Sequence, residues 1–220
     1  MEKVVNQLVM NMENTGGWGH EPLGPTGANE LGYRELAIVS NFAIATFGMA
    51  NCQGIKVPED KINAAVEYVE KCAINNGRVG YNHQEYGQYA YVGRTAGALF
   101  AFAMVKKKDH PICKKMADII SKEMEEAIIG HGSTALSFFQ TAIGSLQAGQ
   151  ETWDQYIKTW FPKILAQQNS DGSFKPIANR KEEGMTEFIE GALGPAYTTS
   201  LFSLILFLDK GALHFMGNYW

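Results

Sequence analysis

The sequence predicts an all-α fold of helical hairpins in two layers, and three observations carry that prediction. Apolar residues recur at helical spacing along most of the chain. Helices with a single apolar stripe alternate with helices that are apolar nearly all round. A polar, Gly-rich turn follows a one-sided helix at three places: Asn14-Thr15-Gly16-Gly17-Trp18-Gly19, Asn75-Asn76-Gly77-Arg78-Val79-Gly80-Tyr81, and Gln167-Gln168-Asn169-Ser170-Asp171-Gly172-Ser173-Phe174. Asp and Asn form such turns by bonding nearby backbone, and Gly by tolerating positive φ.

In chain order, the first helix spans 2–13, with Val4, Val5, Leu8, Val9 and Met12 at helical spacing. A Gly- and Pro-rich loop, 14–29, leads to a second helix, 30–50, whose all-round apolarity calls for burial on most sides. Pro58 opens the third helix, which runs to residue 73. Pro suits a first turn, and Glu59 and Asp60 suit the positive end of the dipole. The stripe Ile62, Ala65, Val66 and Val69 leaves the other face wet. The loop 75–92 precedes a small-residue fourth helix from 93 or 94 to 105.

Pro111 opens an amphipathic fifth helix through Met124. The run Lys106-Lys107-Lys108 before it sits where a helix ends and complements the dipole. The turn Gly130-His131-Gly132-Ser133, with Ser133 or Thr134 as N-cap, is the counterpart of the other turns and leads to an apolar sixth helix, 135–146. The seventh, 152–168, is amphipathic, and Pro162 is expected to kink or split it. The loop 169–195 precedes an apolar eighth helix, 197–208. The tail, 211–220, reads as a short edge strand or an aromatic clasp.

Paired off, these make four hairpins, each an outer amphipathic helix followed by an inner apolar one. Such hairpins bury their faces by stacking on neighbours. Inner helices apolar on both sides favour a closed or nearly closed ring over an open solenoid. The 220 residues fit one domain, 1–220.

Composition excludes several classes. The formal charge is -4 with acids and bases interspersed, so no footprint for nucleic acid or an anionic membrane surface exists. The longest apolar run, 201–208, is too short to span a bilayer. No apolar h-region opens the chain as given, which a trimmed secreted protein would share. Cys52, Cys72 and Cys113 lie far apart without a C-x-x-C pair, so they read as small buried hydrophobes. No cofactor motif and no metal site is read. His20, His83 and His131 come from different hairpins and lack a local H-x-x-x-H pair.

Gln168, Asp171, Gly172 and Phe174 resemble the Q-x-x-D-G-x-W/F repeat of terpenoid cyclases and protein prenyltransferases. Ala196-Tyr197-Thr198-Thr199-Ser200-Leu201 resembles the inner-helix start that follows such repeats, and the turns at Gly16 and Gly77 are looser copies. The resemblance implies an (α/α) toroid, partial or small, since four hairpins are fewer than the six of a full ring. It does not carry over the families' chemistry: no D-x-D-D acid run and no prenyltransferase zinc spacing occurs here. The chain is also similar to bacterial toroid-like proteins of unknown function, which often sit within longer multidomain chains.

This topology gathers every long loop at the end where inner helices begin, with unpaired N–H groups and positive dipole ends. The polar residues crowd there. The densest stretch holds Tyr81, Asn82, His83, Glu85, Tyr86, Tyr89, Tyr91 and Arg94. His83, Tyr86 and Arg94 are the candidate catalytic residues, in the pattern of proton abstraction beside a carboxylate: Arg neutralises the acid and His or Tyr moves the proton. His20, Tyr33, Arg34, Asn82, His131 and Tyr197 are the candidate ligand-binding residues. Glu21, Glu35, Glu85, Glu187 and Glu190 supply carboxylates of the kind a glycosidase pairs. Two classes of function follow. One is a domain that binds or acts on a polar small molecule or glycan, in particular an acidic carbohydrate, at the loop-bearing mouth. The other is a structural or protein-interaction module joined to other domains of a longer chain. A mouth lined by inward Tyr, His and Arg favours the first, and a mouth filled by its own loops the second.

Overall fold

Alternation in the sequence becomes alternation of layers. The computed structural model describes residues 1–22, 35–84, 90–130, 132–177 and 190–208. Among them lie α1 (Glu2–Met10), α2 (Ala37–Cys52), α3 (Glu59–Lys71), α4 (Val92–Met104), α5 (Pro111–Lys122), a 3-10 turn (Met124–Ile128), α6 (Thr134–Ala148), α7 (Gln150–Leu165) and α8 (Pro195–Phe207). The described residues contain two isolated antiparallel bridges and no sheet. Tyr33, Arg34, Glu85, Tyr86, His131, Glu187 and the expected strand or clasp at 211–220 lie outside the described residues.

The inner helices pack in the order α2, α4, α6, α8, and α1, α3, α5 and α7 lie outside them. All 13 residues of α4 are buried, whereas α3 buries only Ile62, Ala65, Val66, Tyr68 and Val69. Small residues let the inner helices approach. A methyl group at Gly48 of α2 would strike the Met104 backbone of α4, and one at Gly144 of α6 would strike Ala96 of α4. The outer helices fill the spaces with large aromatics. On α7, Trp160 donates Nε1–H to Met124 O at 3.1 Å, Tyr156 donates its hydroxyl to Phe138 O at 2.9 Å, and Trp160 tilts against Phe138 at 4.6 Å.

The three turns are one structure built three times. At each, a residue accepts from a Gly three positions on and donates to a carbonyl four positions on: Glu13 with Gly16 and Gly17, Ile74 with Gly77 and Arg78, Asn169 with Gly172 and Ser173, all at 2.8–3.0 Å. The glycines have φ of 94°, 100° and 88°, the left-handed region that side chains disfavour. The residue before each Gly (Thr15, Asn76, Asp171) accepts from the N–H two positions on, at 3.4, 3.0 and 3.0 Å. An apolar residue then drops into the core: Trp18, Val79 or Phe174. Its N–H donates to a hydroxyl on the inner helix that follows: Ser40 at 3.1 Å, Thr95 at 3.0 Å or Thr199 at 3.0 Å.

Three sequence expectations need correction. Gly132 does not make the third copy of this turn. The third hairpin is closed by the 3-10 turn, and Ser137 of α6, where the others accept, donates instead to Ile129 O at 3.2 Å. The second helix begins at Ala37 rather than near residue 30, because Leu36 is held extended by its N–H bond to Trp18 O at 2.8 Å. Pro162 does not split α7, which continues to Leu165. Among the described helices, α2 and α8 make no contact as extensive as those that join α2 to α4, α4 to α6 and α6 to α8. Of its 13 residues α8 buries only Thr198, Phe202 and Ile205.

Candidate functional site

The loop-bearing mouth is built by the second and fourth turns. After Val79 enters the core, Gly80 N–H bonds Cys72 O at 2.8 Å, and Tyr81 O accepts from Ala37 N at 3.0 Å, satisfying the start of α2. Asn82 is buried and its Oδ1 accepts from Gln84 N at 3.0 Å, an Asx turn. The His83 ring meets Tyr68 edge-on at 5.7 Å, and its Nδ1 is buried without a hydrogen-bond partner. Tyr68 donates to Glu35 O at 2.7 Å, and burial pushes its phenol well above the usual range. Burial, reinforced by the neighbouring Glu35 carboxylate, raises the Glu13 carboxyl. Cys72 lies in the same pocket, its thiol pushed up to about 12 by burial.

Arg94, the third residue of α4, is 3 % exposed. Its guanidinium lies over the Tyr81 and Tyr91 rings, 5.3 and 5.8 Å from their centroids. Burial draws its pKa down to about 10, against the stabilising pull of those tyrosines. At α4's first turn the dipole opposes the charge, and the two ring faces contribute favourable electrostatics. Asn41 of α2 donates to Arg94 O at 3.1 Å.

On the far side, Ser133 caps α6 by accepting from Leu136 N at 3.1 Å. Its Oγ lies 3.1 Å from the Tyr197 hydroxyl and 3.2 Å from Glu190 Oε1. With one proton on each hydroxyl, the order Tyr197 to Ser133 to Glu190 satisfies all three. Glu190 Oε1 also accepts from Ala135 N at 2.7 Å. Thr134 Oγ1 stands 3.1 Å from that oxygen and 2.9 Å from Ile177 O, and its single proton serves one of them at a time. The carboxylate thus answers the positive end of α6. Its Oε2 is buried without a partner. Burial raises the Tyr197 phenol; the Ser133 bond lowers it and the Glu190 charge raises it further.

Arg94 and Ser133 line one cleft, with Gln140 beside them, of about 20 Å3. That is room for roughly one water. Gln140 is 3 % exposed and its Nε2 has no hydrogen-bond partner. The structure therefore brings Arg94 and Ser133 to one cleft, Tyr197 to Ser133, and His83 to Tyr68. His20 lies elsewhere, on the wall of a different cavity. Glu190 as the cap of α6 was not legible, because no local spacing links it to a helix start more than fifty positions earlier. Among the described residues no three His, Cys, Asp or Glu side chains converge as a metal site requires, and no helix is long and apolar enough to cross a membrane.

The cavity that holds His20 is a groove of about 570 Å3 between α1 and α2. Val4, Leu8, Trp18, Val39 and Phe42 give it apolar walls. Trp18 is fixed by its Nε1–H bond to Leu8 O at 2.8 Å and its edge contact with Phe47 at 5.6 Å. Val4 and Phe42 are 50 % and 43 % exposed. Alternation in α2 could have signalled this, since an all-round apolar helix at the end of an array lacks a neighbour on one side. A further cavity, about 520 Å3, opens where α5 begins, beside Lys108, His110 and Gln147.

Fold and site define a class: an all-α array of helical hairpins with an outer and an inner layer. The chain belongs to the family described as Domain of unknown function (DUF6288), which it matches over residues 1–215. No curated protein and no solved structure matches it.

Proposed function

We propose that the chain is a protein-interaction module on a toroid-like array, with the α1–α2 groove as its docking surface. One observation carries this reading. Among the described candidates, Ser133 and Glu190 cap α6, Tyr197 bonds Ser133, and Arg94 is buried against two rings beside a water-sized cleft. The roomy, apolar, partly exposed surface is the groove. An exposed apolar patch of that kind marks an interaction site more often than a reaction centre. The threefold turn supports kinship with the toroids of terpenoid cyclases, whose repeat the fourth hairpin resembles.

The mouth supports a second reading, an acidic carbohydrate ligand, through the buried Arg94 and the unpartnered Gln140 Nε2. Thermal unfolding with and without oligogalacturonate separates the two. On the interaction reading, the acid leaves the melting temperature unchanged. Arg94→Ala then lowers the stability through lost ring packing, by about 2–4 kcal/mol on the scale of a large buried truncation. A rise in melting temperature with oligogalacturonate that disappears in Arg94→Ala establishes the ligand reading instead.

A further inference from the structure

The cleft shared by α4 and α6 is small and lined by buried donors. Arg94 and Gln140 are each 3 % exposed there, and the space is about 20 Å3. Gln140 Nε2 is buried without a hydrogen-bond partner. Folded proteins rarely leave such a group unmet, and a bound water or ion commonly completes it.

The surroundings favour a negative charge. Arg94 is a cation in the first turn of α4, where the helix dipole is also positive. Among the described residues that line the cleft none is acidic. Two hydroxyls there have spent their protons: Ser137 donates to Ile129 O and Ser133 to Glu190 Oε1, both at 3.2 Å. That carboxylate oxygen is itself held by the Ala135 N–H at 2.7 Å. A water in the cleft would accept from Gln140 but bring two protons of its own toward a cationic wall. An anion accepts from the amide and the guanidinium together. Size narrows the choice, since room for roughly one water suits a single-atom anion and not a phosphate or a sulfate.

We propose that the cleft lined by Arg94 and Gln140 binds one halide ion, chloride in ordinary solution. Bound there, the ion bridges α4 and α6. The site stands apart from the α1–α2 groove, with which it shares no lining residue.

Thermal unfolding in sodium chloride and in sodium gluconate of equal ionic strength tests it. Gluconate is too large for the cleft and controls for screening. The wild type is expected to melt higher in chloride, by a margin that grows with the logarithm of concentration once the site fills. Gln140→Met keeps the side-chain length, removes the donor, and is expected to lose that margin. Gln140→Glu brings a carboxylate to Arg94 and is expected to melt alike in both salts. Should Gln140→Met not fold, Gly97→Ala replaces it, because its methyl would stand 2.9 Å from Gln140 Nε2 and push the amide aside. Crystals soaked in bromide are expected to show an anomalous peak in the cleft. The absence of a chloride margin overturns the proposal, as does a margin that survives the donor-less variant. A bromide peak without the margin means an adventitious ion only and also overturns it. A melting temperature higher in gluconate than in chloride, and lost in Arg94→Ala, overturns it in favour of the acidic carbohydrate.

Discussion

At the scale of single residues, one backbone angle does the same task at three turns, but its surroundings differ. Gly172 has φ of 88° and open space where a side chain would go. Gly77 has φ of 100°, and a side chain there would meet Lys115 and its backbone. Gly172→Val is therefore expected to cost the conformational strain alone, about 1–3 kcal/mol. That lowers the melting temperature by roughly 2–4 °C per kcal/mol in a chain of this size. Gly77→Val adds a collision and is expected to cost more, and equal losses would show that packing around Gly77 yields freely. The glycine pair was legible in the sequence, because Asn-Gly and Asp-Gly are turn formers for stated reasons. The packing difference was not, since Lys115 lies nearly forty positions away. Nearness hid the Tyr81 and Tyr91 rings at Arg94 instead: residue types crowded together in sequence did not say which would meet the guanidinium.

Among the elements, the hydroxyl that each turn bonds decides how a turn is tied to its inner helix. Ser40, Thr95 and Thr199 each accept an N–H from the buried residue after the turn. Thr95→Val keeps the shape and leaves the buried Val79 N–H without an acceptor, a loss of about 1–3 kcal/mol. Ser137→Ala, in the hairpin without the turn, removes only a donor to Ile129 O and is expected to cost less. Chemical denaturation of both variants checks the order, and a larger loss at Ser137 would contradict the repeat assignment. Helix existence and layer were readable from apolar periodicity, and α4 and α3 bear out the inner and outer assignment. The boundaries were less readable. Extended Leu36 is fixed by a bond to Trp18, and the third closure uses a 3-10 turn whose sequence, Met124–Ile128, still reads as helix.

For the whole molecule, inner helices apolar on both sides suggested closure into a ring, because periodicity reports how much of a helix wants cover and not what covers it. Among the described residues the inner helices follow the order α2, α4, α6, α8, and α2 and α8 keep part of their apolar surface in solvent. Stability should therefore grade along the layer, since local opening follows buried contact. Hydrogen exchange read by mass spectrometry in dilute solution tests this most directly. The account predicts that the amides of α4 and α6 exchange slowest, with α8 opening well before them although it is equally apolar. Protection of α8 equal to that of α4 in a demonstrably monomeric sample would contradict this grading and mean that the exposed face of α8 is covered.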